Sequence, residues 1–488
     1  MTVAKHENGR PRTTPLPKLQ TALALLISHA EPVTATVIYP FIPAFVRRTG
    51  ITNGDEKKTG HYAGIIESLF FISECLCVFH WGRASDRLGR RPILLIGPLG
   101  LAIATFGFGL STSFWQLVVF RCIQGVFNGN IGVVKTLLAE ITDDTNLPDA
   151  LTLLQLMWNV GVTIGPAMGG LLTDPAKRWP RIFGNEFFRE YPYFLACAGP
   201  AFLAFATFVI CFFFLNETLR DYSDKEHKTD PSECDPLLPR PREIARTHHH
   251  DPVLPVLPPP NEPSPTLHEI IIPNVPLQRS LTCHAFYSFT NMSYTVLVPL
   301  IYSTSIPNGG LGLSPYKIGA ILGVEGVCVA VFPVFGWKPM LNRIGLKNTF
   351  ILSYSFHIVR IGMLMLARMA VATTGTVDWM VWMLIAAQIS SSMFSSVAYN
   401  TTATLILKST PPNALGAVNG IQQMISSGLK GLAPTVASSL FAVSLALDWK
   451  VTGGEGGICR YMADLIQLVV ITAGVWYSLK LPNYKLIQ

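Results

Sequence analysis

The sequence predicts an all-α membrane protein with 12 transmembrane helices in two pseudo-symmetric six-helix bundles. Three observations lead to this prediction. Hydrophobic residues make up 49% of the 488 residues and charged residues only 14%, whereas roughly a quarter of the residues in soluble domains are charged. Apolar runs of about 20 residues, the length that crosses a bilayer core, recur along the chain. A short loop sequence of the first half also recurs in the second half as a degenerate repeat.

The apolar runs define the predicted spans, which are numbered 1 to 12 in chain order. Their approximate bounds are 19–45, 61–80, 92–111, 114–138, 150–173, 193–215, 281–305, 317–337, 349–370, 379–403, 414–443 and 462–482. An even number of spans places both chain ends on one side of the membrane. Lys and Arg are more frequent in the loops on that side, which predicts that both ends are cytoplasmic.

The predicted organisation follows from these spans. It consists of a cytoplasmic N-tail (1–18), an N-terminal six-helix bundle (19–219), a flexible cytoplasmic linker (220–280), a C-terminal six-helix bundle (281–482) and a cytoplasmic C-tail (483–488). The linker is rich in proline and charge and shows no helical period. Within it, residues 233–238 (ECDPLL) fit an acidic-dileucine sorting signal, although an ordinary linker sequence explains them too. A vacuolar or endosomal membrane and the plasma membrane therefore both remain open.

The loop after span 2 has an unusual composition. Gly82–Arg91 (GRASDRLGRR) contains four arginines, one aspartate and two glycines. Glycine suits a tight turn between helices, and the arginines hold the turn on the cytoplasmic side. We expect Asp86 to accept hydrogen bonds from the N-terminus of a neighbouring helix. Asn342–Lys347, after span 8, aligns with Asp86–Arg91, as expected of a duplicated six-helix unit.

These motifs resemble signatures of the major facilitator superfamily. The loop matches its pattern G-x-x-x-D-R-x-G-R-R, and Arg121–Gly125 (RCIQG) matches R-x-x-Q-G of span 4. Gly161–Gly170 (GVTIGPAMGG) matches the span 5 pattern that is typical of proton-coupled antiporters. The resemblance implies the major facilitator fold and secondary transport. The second half departs from the loop signature, since Asn342 replaces the aspartate and Leu346 replaces an arginine.

A finer resemblance is to the zinc-induced facilitator-like branch of the drug:proton antiporters. It rests on Ala30-Glu31-Pro32, Trp81-Gly82-Arg83, Asn128-Gly129-Asn130 with Lys135, Glu140-Ile141-Thr142-Asp143 and Gly416-Ala417-Val418-Asn419-Gly420. Members of that branch are associated with proton-coupled movement of metals, metal chelators, potassium or small organic anions. The resemblance does not fix a substrate for this chain.

Two sets of residues are assigned to conformational change. The predicted gating loop comprises Gly82, Asp86, Arg87, Gly89, Arg90 and Arg91. The predicted antiporter helix motif comprises Gly161, Gly165, Pro166, Gly169 and Gly170. The glycines leave a helix face on which a partner helix can pack closely. The proline frees a backbone carbonyl and permits a bend.

Polar and ionisable residues inside the spans are the candidates for a transport site, because each is costly to place in hydrocarbon. On span 4, Arg121, Asn128 and Lys135 recur every seven residues and form one stripe. Asn419, Gln423 and Lys430 form a similar stripe on span 11. The predicted proton-coupling and substrate cavity comprises Glu31, Arg121, Gln124, Asn128, Lys135, Trp158, Asn159, Glu325, Asn419, Gln423 and Lys430.

Several of these side chains have a structural interpretation beside the functional one. Glu31, near the middle of span 1, is the foremost candidate for a proton or cation carrier. Arg121 either takes part in coupling or forms a structural pair with an acid on span 1 or 2. Glu67 lies nearer the outer end of span 2 and is interpreted as a gate or solvent contact. Glu74 is interpreted as a hydrogen-bonded packing residue.

The remaining candidates have similar alternatives. Glu325 is a second possible proton carrier, and Lys430 either contacts substrate or is neutralised by Glu325. Lys135 either lines the cavity or reaches the cytoplasmic surface with its long side chain. Trp158 lines the cavity or packs between helices.

The sequence thus predicts a secondary active transporter that exchanges protons for a small solute by alternating access, for efflux or for sequestration in a compartment. The alternative is a solute sensor or scaffold of the same fold that no longer transports. The expected partners of the predicted transporter are a small-molecule or ion substrate, protons and the lipid bilayer, with no nucleic acid. We expect it to act as a monomer. No nucleophile elbow, metal-ligand pair or phosphate loop occurs at a usable spacing, so we predict no enzyme activity, catalytic residue, metal site or cofactor.

Overall fold

The computed structural model describes residues 14–143, 146–218, 272–411, 415–453 and 457–482. Throughout these ranges the regular structure is helical, without a β-strand. Most of the predicted linker, the ECDPLL segment and most of both predicted tails lie outside the described residues.

The helices of the first half are Lys18–Thr36 and Ile42–Arg48 in span 1, Thr59–Leu88 in span 2, Arg90–Gly109 in span 3, Phe114–Phe127 and Ile131–Ile141 in span 4, Leu147–Leu171 in span 5 and Phe194–Phe214 in span 6. Short helices Pro175–Arg178, Pro180–Phe183 and Glu186–Glu190 connect spans 5 and 6. The helices of the second half are Val275–Ser303 in span 7, Pro315–Thr374 in spans 8 and 9, Trp379–Ser409 in span 10, Leu415–Thr452 in span 11 and Met462–Ser478 in span 12.

These helices account for all 12 predicted spans. Within the described ranges, nine helical segments are long and apolar enough to cross a membrane. One of them, Pro315–Thr374, is two crossings, because Gly345 interrupts its helical geometry. Spans 1 and 7 are helical too, but they carry more polar residues, many of which are buried among the other helices. Polar spans enclosed by apolar ones are expected where helices surround a polar cavity.

Spans 1, 4 and 7 differ from the prediction in ways that affect the site, while spans 2, 10 and 11 extend beyond their predicted ends to Leu88, Ser409 and Thr452. Span 1 is not continuous over 19–45, because the chain turns between Thr36 and Ile42, where Pro40 has no amide to donate. Span 4 contains a 3₁₀ turn at Asn128–Asn130, since asparagine and glycine are weak helix formers. Span 7 begins at Val275, inside the predicted linker: Asn274 accepts a hydrogen bond from the amide of Leu277, and a proline is tolerated in a first turn.

The predicted internal repeat is visible in the backbone. The loop between spans 2 and 3 is reduced to Gly89 (φ 104°, ψ 162°), and Gly82 lies inside the preceding helix. Gly345 occupies the aligned position of the second half with nearly the same geometry (φ 78°, ψ 167°). Positive φ disfavours side chains other than glycine. The glycine of the loop motif has therefore kept its structural role in both halves, although the charged positions have diverged.

The span 5 motif brings span 5 against span 1. The missing side chains of Gly161 and Gly165 leave room for Pro32 and Thr36, and Gly169 lies against the carbonyl oxygen of Val37. Any side chain at these three positions would overlap span 1. The glycine face therefore sets how closely the two helices approach.

The same motif also touches the other half of the molecule. Gly170 lies against Gly319 of span 8, backbone to backbone, and the carbonyl oxygen of Pro166 approaches the same glycine. Thr163, one turn before Pro166 on span 5, lies against Gly326 of span 8. The helix runs through Pro166 without a break. Span 5 is thus in close contact with span 1 and span 8 at once.

The two halves are closed against each other at one end, which we call the Arg47 end. There Arg47 donates a hydrogen bond to the hydroxyl of Ser303 (2.7 Å), and Glu56 accepts one from the amide of Ser305 (3.0 Å) and one from Asn308 Nδ2 (2.7 Å). Deeper in the molecule, spans 2 and 11 are joined where Thr435 donates to Ser68 from its amide (3.0 Å) and its hydroxyl (2.8 Å).

The opposite end, which carries Gly89 and Gly345, is open. Between described residues of the two halves, no hydrogen bond or ion pair lies at this Gly89 end. Asn419, Gln423 and Met424 of span 11 are exposed there. We therefore interpret the space between the bundles as a cleft that opens toward the Gly89 end.

We predict that Gly169→Val destabilises the protein, because its side chain would meet the carbonyl oxygen of Val37. The expected loss is about 1–3 kcal/mol of unfolding free energy, as for other overpacked cores. Thermal unfolding in detergent, followed by size-exclusion chromatography, measures it. Gly362→Val is the matched control, since no described atom lies within 4 Å of a Cβ atom placed at that position. Equal losses in both variants would contradict the proposed packing.

Candidate functional site

Arg121 forms a buried ion pair with Glu67 of span 2. Its Nη2 atom lies 2.9 Å from Glu67 Oε2, and both side chains are 1% exposed or less. Arg121 also donates to the carbonyl oxygen of Ala35 (3.0 Å) and to Gln124 Oε1 (2.9 Å), while Gln124 donates to Thr105 (3.0 Å). Of the two interpretations of Arg121, the structure contains the ion pair. The interpretation of Glu67 as a solvent contact is wrong, because its side chain is 1% exposed; a gate role stays a prediction.

A second ion pair lies in the second half. Glu325 of span 8 is 3.1 Å from Arg360 of span 9, and it accepts a hydrogen bond from the hydroxyl of Ser392 (2.6 Å). The predicted neutralisation of Lys430 by Glu325 is therefore wrong. The partner of Glu325 is thus Arg360 instead of Lys430. The sequence analysis missed Arg360 because it identified no stripe of charged residues on span 9.

A third ion pair, between Arg368 of span 9 and Asp464 of span 12, was missed by the sequence interpretation. Both side chains are buried. Arg368 also donates to the carbonyl oxygens of Gly309 (2.7 Å) and Arg460 (2.8 Å). It thus fixes the loop that carries Ser305 and Asn308, the partners of Glu56 at the Arg47 end.

Two acidic and two basic side chains of the spans approach one another between the halves without forming an ion pair among the described residues. Glu31 of span 1 is within electrostatic range of Glu74 of span 2 and of Lys135 of span 4. Glu74 is in turn within range of Lys430 of span 11 and lies beside Asn128. The two acids and two bases form a charge cluster to which both halves contribute. Glu74, interpreted from the sequence as a packing residue, belongs to this cluster.

Glu31 is the most unusual member of the cluster. Its side chain is 1% exposed, and neither carboxylate oxygen has a hydrogen-bond partner among the described residues. Burial of an ionised carboxylate without donors costs several kcal/mol. A proton, a cation or a cationic group of a solute would remove that cost.

The other predicted cavity residues divide into two groups. Asn419 and Gln423 are exposed on the cleft side of span 11, while Trp158 and Asn159 are partly buried on span 5. Gln124 is fully buried beside Arg121 and does not reach the cleft. Together with Arg121 and Glu325, it belongs to the fixed pairs rather than to the cavity.

His284 of span 7 is a cleft-side residue that the sequence interpretation missed. It is buried and within electrostatic range of Lys430. Its Nδ1 atom lies 3.3 Å from the hydroxyl of Thr402, and Nε2 has no hydrogen-bond partner among the described residues. A histidine inside an otherwise apolar run was the available signal, since ionisable residues in spans are rare.

The gating loop holds a network within the first half. Arg90 lies 2.9 Å from Glu140 at the end of span 4 and also pairs with Asp86. The N-terminus of span 3 is capped by Glu217, whose two oxygens accept from the amides of Arg90 (2.8 Å) and Arg91 (3.1 Å). The expectation that Asp86 caps a helix N-terminus is not met, because Asp86 lies in the last turn of span 2 and Glu217 occupies that position. Arg87 of the loop is exposed.

With this geometry established, comparison with known proteins identifies the family. The protein-family model described as Major Facilitator Superfamily matches residues 25–442 of the chain. The chain is a member of the Major Facilitator Superfamily.

Its relatives are transporters. It is 30% identical to "Major facilitator-type transporter psiT2" of Psilocybe cyanescens, over 96% of this chain and 91% of that protein. It is 27% identical to "Protein ZINC INDUCED FACILITATOR-LIKE 1" of Arabidopsis thaliana, over 89% of this chain and 85% of that protein. The crystal structure of a bacterial homologue of the human lysosomal transporter Spinster, described as inward-facing and unoccupied, has the same fold, with a TM-score of 0.65 at 12% identity over 96% of this chain and 97% of that one.

These findings confirm the predicted family, its drug:proton antiporter-like character and the predicted fold of two six-helix bundles. The chain is an integral, multi-pass membrane protein that transports solutes, and it is not an enzyme.

We predict that Glu67→Met strongly destabilises the protein, because it leaves the Arg121 charge buried and an arginine does not lose its proton. Breaking a buried pair from one side costs about 3–5 kcal/mol, whereas apolar replacement of both partners is close to neutral. The double variant Glu67→Met/Arg121→Met should therefore recover most of the loss in thermal unfolding. A double variant as unstable as the single one would show that the pair is not an independent unit.

Proposed function

We propose that this transporter exchanges protons for a small solute, and that Glu31 carries the proton. The observation that supports this most directly is the burial of the Glu31 carboxyl group, to which no described residue donates a hydrogen bond, next to the cleft between the halves. A proton-coupled antiporter needs a group that is neutralised either by a proton or by the solute, but not by a permanent partner. In this conformation Arg121, Arg360 and Arg368 pair with acids, whereas Glu31 has no such partner among the described residues.

The arrangement of the two halves supports the proposal of alternating access. The Arg47 end is sealed by contacts between the halves, and the cleft is open at the Gly89 end. The distribution of Lys and Arg places the Gly89 end in the cytoplasm, so we interpret this conformation as inward-facing. To open the opposite side, the halves must release Glu56 from Ser305 and Asn308, and Ser68 from Thr435. A long connection between spans 6 and 7, which ends where the helix of span 7 begins at Val275, is compatible with such rocking of the two bundles.

The cleft favours a polar solute over a purely apolar one. Glu74 and Lys135 come from the first half and Lys430 from the second, so groups of both signs face the same space. The amide side chains of Asn419 and Gln423 add neutral hydrogen-bonding groups at the open end. A solute bound here would touch both halves, and its presence would therefore affect their relative motion. The direction that we propose is efflux or sequestration in a compartment.

The test uses the full-length protein in liposomes that contain a pH-sensitive dye. A growth screen of a deletion strain across metals, weak acids and drugs first supplies a transported solute. We expect addition of that solute on one side to move protons in the opposite direction. Glu31→Gln should abolish this proton movement while solute-for-solute exchange continues, since the glutamine keeps the shape of the side chain but has no exchangeable proton.

The matched control is Glu186→Gln, at an exposed glutamate in the connection between spans 5 and 6. It should leave both activities unchanged. Full proton coupling in Glu31→Gln would exclude Glu31 as the carrier. Solute binding without net flux under any gradient would instead favour the sensor or scaffold.

A further inference from the structure

A narrow apolar gap separates the halves just below the seal at the Arg47 end. Glu67 and Tyr39 line it from the first half, and Val296, Pro299 and Leu300 of span 7 line it from the second half. Glu67 itself is shielded from solvent in this conformation, since its side chain is 1% exposed.

One oxygen of Glu67 is left unpaired at this gap. Oε2 accepts the hydrogen bond from Arg121, but Oε1 has no partner among the described residues. The adjacent residue, Ser68, is the acceptor for Thr435 of span 11. Separation of the halves at Ser68 and Thr435 would therefore bring water to Glu67.

We propose that Glu67 is a second proton-exchanging carboxyl group, reached from the Arg47 end when the halves part there, as Glu31 is reached from the Gly89 end. This inference rests on the proposed proton-coupled function. When the gap opens, a proton from water adds to the carboxylate of Glu67, and it returns to water from the same oxygen. Arg121 stays in place throughout, because it also binds the carbonyl oxygen of Ala35 and Gln124.

The surroundings of Glu67 connect it to the central cluster. Arg121 of span 4 is the charged group that faces Glu67. Tyr39, from the turn that interrupts span 1, is the other titratable neighbour. The surfaces of span 7 and span 11 that pack here present apolar residues and hydroxyl groups. Arg121 is also within electrostatic range of Glu74, which lies close to Glu31. One arginine thus links the acid at the closed end to the two acids at the open end.

A reversible lock tests this inference directly. The hydroxyl oxygens of Ser68 and Thr435 are 2.8 Å apart, so Ser68→Cys/Thr435→Cys should form a disulfide that holds the Arg47 end closed. The probe is dicyclohexylcarbodiimide, which reacts with protonated carboxyl groups in apolar surroundings. Peptide mass spectrometry of the full-length protein reads the adducts at Glu67 and Glu31 separately.

Without the lock, we expect the Glu67 adduct to increase as the pH is lowered. With the disulfide formed, the Glu67 adduct should fall about tenfold, because the open state that exposes it is no longer populated. The Glu31 adduct should be unchanged, and a reducing agent should restore the Glu67 adduct. Glu56→Ala provides a second route without new cysteines: it removes the acceptor for Ser305 and Asn308 and should increase labelling of Glu67.

Absence of a Glu67 adduct at every pH, or equal labelling with and without the lock, would overturn the inference and leave Glu67 as a structural partner of Arg121. In that case a Glu31 adduct would still support the proposed function. A Glu67 adduct without a Glu31 adduct would instead contradict the assignment of the carrier to Glu31.

Discussion

Each charged side chain inside a bilayer must be paired, solvated or neutralised, and this constraint arranges the interior of the protein. Three arginines meet it by permanent pairing: Arg121 with Glu67, Arg360 with Glu325 and Arg368 with Asp464. Two of the pairs connect different spans of one bundle near its middle, and the third fixes the loop at the closed end. What remains without a pair is the cluster at the cleft, to which both bundles contribute.

Helix approach is the second constraint. Span 5 lies between span 1 of its own half and span 8 of the other half, and glycine is required at both contacts. Because Gly170 and Gly319 meet backbone to backbone, this contact permits rotation without the unlocking of long side chains. The seal at the Arg47 end depends instead on hydrogen bonds of Glu56 and Ser68 that break individually. We propose that the halves rock about the glycine contact while these hydrogen bonds open and close.

The sequence predicted the spans, the repeat and the glycine positions because these depend on local hydropathy and backbone geometry. It predicted Glu31 and the polar faces of spans 4 and 11 for the same reason. The partners of charged side chains were harder to predict. The sequence analysis paired Glu325 with Lys430 instead of Arg360, and it assigned the capping of a helix N-terminus to Asp86 instead of Glu217. Ion pairs depend on which helices are neighbours and how they are rotated, and a single sequence contains no direct record of either.

The central claim is that Glu31 carries an exchangeable proton in this conformation, in which Glu325 is held in an ion pair. Infrared spectroscopy of the purified protein measures this directly, because a protonated carboxyl group has a C=O stretching band that a carboxylate lacks. We expect a band in the wild-type protein that Glu31→Gln removes and that Glu325→Gln, which alters an ion pair, leaves in place. A band that persists unchanged in Glu31→Gln would contradict the claim.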